Sequence, residues 1–188
     1  MSHKVLVLPN WQGGGPAPWP MHWVQRHGYT LVAQHDLVRP RRGDWLARLD
    51  EVVADTAASR DGILLAAHGL GCILVAAWAA FSRHTGRVAG ALLVAPTDVE
   101  RADLRERLPG WSPVLRQRLP FAATVVAHHG DPDGSADRTR DLASDWGAHW
   151  LAPGATGHPA GHAAGDWPAA HVLLPSLQNP LGRLAHAG

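Results

Sequence analysis

Only one cysteine, Cys72, occurs in this chain, so no disulfide can form within it. No apolar run approaches the roughly 20 residues that cross a bilayer. The opening Met1-Ser2-His3-Lys4-Val5 lacks the long apolar segment of a secretory leader. A cytoplasmic protein that does not engage a membrane is expected. An excess of one charge is missing as well: 17 basic and 16 acidic residues leave a formal net charge of +1. With no Lys or Arg run to follow a phosphate backbone, nucleic acid is not an expected partner. What is present is length enough, at 188 residues, for a single domain over 1–188 with a substantial core and no need of disulfides or metals. Nine tryptophans and thirteen histidines are spread along the chain without forming a repeat. They point to a tryptophan-rich core or cleft.

Short aliphatic and β-branched runs at Val5–Leu8, Thr30–Gln34, Ile63–Ala67, Ala89–Val94, Thr124–Ala127 and His149–Ala152 read as strands. Helical spacing falls between most of them. Asp44 suits an N-cap for a helix presenting Trp45, Leu46, Leu49, Val52 and Val53 on one face. An almost wholly apolar helix is expected from just after Gly69 to about Phe81, another over Ala136 to Trp146, and a last one over Ala169 to Leu177, opened by Pro168. Strands that are apolar on both faces and alternate with helices indicate an α/β fold, a three-layer sandwich of about six mostly parallel strands without a cap domain. Gly13–Pro20 and Leu108–Pro113 read as loops over the C-terminal edge of the sheet.

Gly62-Ile63-Leu64-Leu65-Ala66-Ala67-His68-Gly69-Leu70-Gly71-Cys72 carries the most chemical information. A buried strand runs straight into a helix through a turn patterned like a nucleophile elbow, in which small residues two positions either side of a serine let strand and helix approach closely. Ala67 and Gly71 supply the small residues, but the serine position holds Gly69. Glycine accepts the positive φ of such a turn without strain, so the fold does not suffer from the change.

Several further segments join this one: Pro9–Gly15 after the first strand, His22-Trp23, Arg39-Pro40-Arg41-Arg42-Gly43-Asp44-Trp45, Leu93-Val94-Ala95-Pro96, Asp131-Pro132, Leu142–Ala148, Gly157-His158 and Gly165-Asp166-Trp167-Pro168. Together they resemble the small lidless α/β-hydrolases of the retinoblastoma-binding protein 9 type, the YdeN-like serine hydrolases, over nearly the whole chain. The resemblance implies an α/β-hydrolase fold and a Ser-Asp-His triad in that chain order. Asp131 matches the acid and His158 the base; the acid's task is to orient the imidazole and stabilise its protonated form. It implies an oxyanion hole built from the backbone N–H of Leu70 and a second N–H near Asn10 or Trp11. Departures from the pattern are Gly69 for serine, Asn10 where glycine is expected, and Pro159 after the histidine.

Three readings of Gly69 follow. His158 with Asp131 activates a water or abstracts a proton from a small ester, lactone, amide or carbonyl compound, without an acyl-enzyme. This reading uses all that remains of the apparatus. Alternatively the chain is an inactive pseudo-hydrolase binding a small molecule or protein, or it carries a deliberate serine-to-glycine replacement in an esterase-type enzyme. No cofactor is expected in any of the three. Trp11, His22, Trp23 and His68 are candidates for the wall of a pocket holding a small-molecule substrate or ligand. Cys72, inside the apolar helix, suits core packing better than nucleophilic attack. His128, His129, Asp131, His158 and His162 contain ligand-type residues, yet Pro159 and Gly161 oppose the helix that would align His158 with His162, and no metal is expected. Gly69-Leu70-Gly71 lacks the third glycine of a dinucleotide fingerprint, Leu74 standing in its place.

Overall fold

The computed structural model describes residues 4–14, 19–57, 61–128, 130–154 and 167–177. Within them the chain forms β1 (Lys4–Leu8), α1 (Trp19–His27), β2 (Thr30–Leu31), α2 (Arg42–Asp55), β3 (Ile63–His68), α3 (Leu70–Phe81), β4 (Val88–Val94), α4 (Ala102–Arg107), β5 (Ala122–Val126), α5 (Ala136–Trp146), β6 (His149–Leu151), α6 (Pro168–His171) and α7 (Leu173–Ser176). All six strands pair in parallel in the order β2-β1-β3-β4-β5-β6.

Successive strand residues alternate between two separate apolar clusters. Leu6, Leu8, Leu65, Ala67, Leu93 and Val125 face one of them, together with Trp45 and Leu49 of α2, Leu74 and Trp78 of α3 and Trp146 of α5. Val5, Val7, Leu64, Ala66, Leu92 and Val126 face the other, with Trp19 and Trp23 of α1 and Leu174 of α7. Across the four central strands, β1, β3, β4 and β5, both faces of the sheet are covered, which is why these strands are continuously apolar instead of alternating. α3 is buried on nearly every side, from Leu70 to Trp78, because it packs on the sheet beneath and on α2 beside it. The architecture is the expected three-layer α/β sandwich, with no cap domain among the described residues.

Several boundaries differ from the sequence reading, each for a local reason. α2 starts at Arg42, with extended Arg41 as N-cap making no side-chain cap bond. Asp44 lies inside the first turn, where its charge favours the positive end of the helix without capping it. The second strand shrinks to Thr30–Leu31, since only Leu6↔Thr30 and Val7↔Leu31 are in register at this sheet edge. The C-terminal helix breaks into α6 and α7. Pro175 has no N–H to offer the carbonyl of His171 four residues back, and its ring crowds that carbonyl. Trp19–His27, taken as part loop, is a helix whose buried Trp19 and Trp23 stand one turn apart.

Near the N-terminal side of the sheet Asp50 joins α2 to the end of α3. It accepts from Trp78 Nε1 at 2.9 Å and from Ser82 Oγ at 2.5 Å, and the Ser82 bond, ahead of the Trp78 bond, holds its carboxyl below the usual range. His84 Nε2 stands 3.9 Å from the other oxygen. Serine, aspartate and histidine meet here, but the acid contacts the serine directly, so the histidine is not placed to take the serine proton and hand its other nitrogen to the acid. The role is structural. Asp50→Ala is expected to cost about 1–2 kcal/mol by leaving the Trp78 and Ser82 donors unpaired, measurable by urea unfolding at neutral pH; an unchanged midpoint would contradict it.

Candidate active site

Strand order reverses direction between β1 and β3, and open parallel sheets bind ligands at such switch points, beyond the carboxyl ends of the strands. Here those ends deliver Pro9-Asn10-Trp11 from β1 and His68-Gly69-Leu70 from β3. Gly69 has φ 55° and ψ −116°, a left-handed φ that glycine adopts freely and a side chain resists. The turn is pinned: Gly69 N–H donates to Val94 O at 3.0 Å, and Gly69 O accepts from Cys72 N–H at 3.1 Å and Thr97 N–H at 3.3 Å. Two positions on, a Cβ at Gly71 would lie 3.0 Å from Pro9 O and 3.1 Å from Leu8 Cβ. That close approach seats the start of α3 against the end of β1.

The first backbone N–H groups of a helix have no partner within it. Leu70 N–H, at the start of α3, finds one 60 residues away, donating to Asn10 Oδ1 at 2.8 Å. Trp11 N–H donates to the same oxygen at 2.9 Å. One carboxamide oxygen thus receives two converging backbone donors from different strand ends. The rest of the carboxamide lies over Gly69: a Cβ built there would stand 2.2 Å from Asn10 Cγ, 2.2 Å from Oδ1 and 2.6 Å from Nδ2. A bare glycine is therefore what permits Asn10 to reach these donors. Sequence reasoning placed Asn10 here as a possible backbone donor and missed its side chain; the signal was the departure from glycine at that position.

Trp11 is buried, its Nε1 donates to Asp133 Oδ2 at 3.2 Å, and the Arg107 guanidinium lies 4.5 Å from its ring centre. Asp133 N–H in turn donates to Asp131 Oδ1 at 2.9 Å, so Asp131, in the loop beyond β5, connects to the Asn10 segment through Asp133. Burial pushes the Asp131 carboxyl from its ordinary 3.8 up to about 6; the Asp133 N–H opposes the shift and the Asp133 charge adds to it. Gly134 lets this loop fold tightly, since a Cβ there would lie 2.9 Å from Pro96 O and 3.2 Å from Asp131 Oδ2. His158, His129 and His162 lie outside the described residues. Among the described residues no group of His, Cys, Asp and Glu side chains is arranged to hold a metal ion.

A cavity of about 210 Å³ opens beside Asn10, bordered by Pro9, Leu31, Gln34, Leu37 and His68. Of the four side chains expected to wall a pocket, only His68 borders it. Trp11 and Trp23 are instead packed in the two apolar clusters, 4% and 0% exposed, where large flat rings remove the most surface from water. His22, on α1, is not among the lining residues. Cys72 is fully buried, its thiol donating to Val94 O at 3.3 Å and Ala67 O at 3.4 Å, and burial pushes it well above the ordinary thiol range. Such a thiol is not a nucleophile.

The parallel sheet with helices on both faces, and the strand-to-helix turn at Gly69 on its third strand, define an α/β-hydrolase fold. The fold is shared with a protein described as a YdeN-like hydrolase of Pectobacterium atrosepticum, at TM-score 0.73 and 18% identity over 95% of this chain and 91% of that one. It is shared too with the ydeN gene product of B. subtilis, at TM-score 0.61 and 16% identity over 94% of this chain and 98% of that one. A Bacillus cereus carboxylesterase matches at TM-score 0.55 and 15% identity, over 94% and 89% of the two chains. No curated protein matches the sequence. The serine hydrolase family model matches residues 5–176, and the chain belongs to the serine hydrolase family.

Proposed function

We propose that this protein is a serine hydrolase-family member of the YdeN-like, retinoblastoma-binding protein 9 type that has lost its nucleophile and uses its cleft to bind a small molecule without forming an acyl-enzyme. Gly69 stands where the serine of the elbow would be. Leu70 N–H and Trp11 N–H are the two donors that would hold the oxyanion of an ester or amide substrate.

One observation carries the reading: both donors are taken by Asn10 Oδ1, at 2.8 and 2.9 Å. A serine hydrolase needs those hydrogens free for developing charge on the substrate, and it needs a side-chain oxygen above the turn. Here the asparagine occupies the first and its carboxamide fills the room for the second. The same fact weighs against water activation by His158 and Asp131, since a substrate carbonyl polarised by this pair of donors must first expel Asn10. A cleft whose catalytic donors are satisfied internally, beside an apolar cavity, suits binding.

The test is turnover and covalent labelling by the protein and its His158→Ala variant. No fluorophosphonate adduct by intact mass, and no difference between the two proteins against activated esters and lactones, is the expected result. Ester or lactone turnover that disappears in His158→Ala would overturn the proposal in favour of general-base chemistry.

A further inference from the structure

A second cavity, of about 630 Å³, opens at the end of α3 remote from Gly69. Leu46, Ala47 and Asp50 of α2 border it, with Phe81, Arg83 and His84 where α3 ends. Leu70 and Phe81 mark the two ends of α3, about 16 Å apart at a rise of 1.5 Å per residue, so this groove is separate from the cleft beside Asn10. Phe81 is the most exposed large apolar side chain among the described residues, at 74%. A lone exposed ring is ordinary, but this one borders a groove whose accessible charges are of both signs.

Part of the polar lining is already satisfied. Trp78 Nε1 and Ser82 Oγ both donate to Asp50 Oδ1, and Ser82 Oγ accepts from His84 N–H at 3.0 Å. Asp50 Oδ2 takes neither bond; His84 Nε2 stands 3.9 Å from it, and the Asp50 side chain is 42% exposed. The Ser82 and Trp78 bonds hold its carboxyl low, so it is charged at neutral pH. Arg83 is exposed and makes no ion pair among the described residues, although Asp50 borders the same groove. Other ions nearby are committed elsewhere: Arg48 pairs with Glu51 at 2.6 Å, and Arg87 donates to Ala54 O and Thr56 O. One negative and one positive group thus face the groove without neutralising each other.

An ion of one sign would be attracted by one of these groups and repelled by the other, whereas a ligand carrying both charges is attracted twice. Its apolar part would have Phe81, Leu46 and Ala47 to cover, and a ring against a ring gains a contact beyond the area buried. The volume lies within the usual span of small-molecule sites, roughly 300–1,000 Å³. We propose that this groove binds a small zwitterion bearing an aromatic ring, of the aromatic α-amino acid class, with its ammonium on Asp50 Oδ2, its carboxylate on Arg83 and its ring against Phe81. A guanidinium suits that role because it meets a carboxylate through two parallel N–H bonds.

The experiment is an NMR titration of the isotopically labelled protein with L-phenylalanine, phenethylamine and 3-phenylpropionate, at low salt because exposed charge pairs are screened. The last two keep the ring and one charge each. Saturable shifts in α2 and at the end of α3 are expected with L-phenylalanine, with a Kd of about 1–10 mM for so small a ligand in an open groove. Each analogue is expected to bind about fivefold more weakly. Arg83→Gln should weaken L-phenylalanine and 3-phenylpropionate about fivefold without weakening phenethylamine. Asp50→Asn, which keeps an acceptor for Trp78 and Ser82, should weaken L-phenylalanine and phenethylamine without weakening 3-phenylpropionate. Equal affinity for the three compounds would overturn the proposal. So would the absence of saturable shifts up to about 50 mM, shifts centred on His68, Gly69 and Leu70, or an Arg83→Gln protein that binds all three as the native chain does. Arg83 has no bond to lose, so that variant keeps the test decisive should Asp50→Asn fail to fold.

Discussion

The Asn10→Gly/Gly69→Ser double variant is expected to become covalently reactive with fluorophosphonates and to hydrolyse activated esters, while the native protein and Gly69→Ser alone remain near background. Serine at position 69 needs a Cβ where the Asn10 carboxamide now lies, 2.2 Å from Asn10 Cγ. In the single variant Asn10 must swing away, losing its bonds from Leu70 N–H and Trp11 N–H, about 1 kcal/mol each. The serine must also adopt φ 55°, a strain of order 1–3 kcal/mol. Gly69→Ser is therefore expected to be less stable by about 3–5 kcal/mol and to place its hydroxyl poorly. Replacing Asn10 with glycine removes the obstruction and frees both donors. A serine nucleophile in a triad enzyme is worth about 10³-fold or more in rate, and that is the gain expected for the double variant over the native chain. In unfolding experiments the two substitutions should be non-additive, the double variant being more stable than the sum of the single effects. A double variant that folds and stays inert would mean that the donors, the hydroxyl and a base do not converge.

Stability should fall as the pH is raised from about 4.5 to 7, and Asp131 should be the source. Its carboxyl, pushed by burial to about 6 against an ordinary 3.8, holds a proton in the folded state over a range in which the unfolded chain has lost it. The folded state binds more protons across that window, so raising the pH favours unfolding. At 1.36 kcal/mol per pH unit of difference the full shift would amount to about 3 kcal/mol, but about a third of it develops below pH 4.5 and the carboxyl is only partly covered, so about 1 kcal/mol is expected over this window. Glu100 acts in the opposite sense. Burial pushes it up but is outweighed by the Val114 N–H and by Arg138 and Arg116, so its pKa is lowered. Its stabilisation is present above the ordinary glutamate range and is lost as the pH falls below it, outside the Asp131 window. Asp131→Asn should flatten the slope between pH 4.5 and 7, its stability relative to the native chain growing by about 1 kcal/mol as the pH rises. A difference independent of pH in urea titrations would mean that Asp131 titrates as an ordinary carboxylate.

The sheet was legible because the four central strands, β1, β3, β4 and β5, are short, apolar on both faces and bounded by turn residues, and because α3 has no polar face to expose. What escaped was decided by single residues. Pro175 broke a continuous apolar pattern into two helices, and the glycine- and proline-rich stretch before Trp19 concealed a helix beginning at that residue. The site divides in the same way. Gly69 and the Leu70 N–H follow from one local pattern, a strand running into a helix through small residues. Asn10 was visible only as an unexpected residue after β1. That its side chain crosses to the start of α3 depends on the parallel pairing of β1 with β3 and on the missing Cβ at position 69, and neither can be read from the residues around Asn10.

Amide hydrogen exchange at Leu70 and Trp11, in the native chain and in Asn10→Gly, tests the central claim most directly. Leu70 N–H begins its helix and has Asn10 Oδ1 as its acceptor; Trp11 N–H shares that oxygen. Both amides should be protected in the native protein, and both should exchange at least tenfold faster in Asn10→Gly while the amides in the middle of α3 keep their rates. Unchanged protection of both amides in a folded Asn10→Gly protein would contradict the account, because the two donors would then be held by something other than the asparagine.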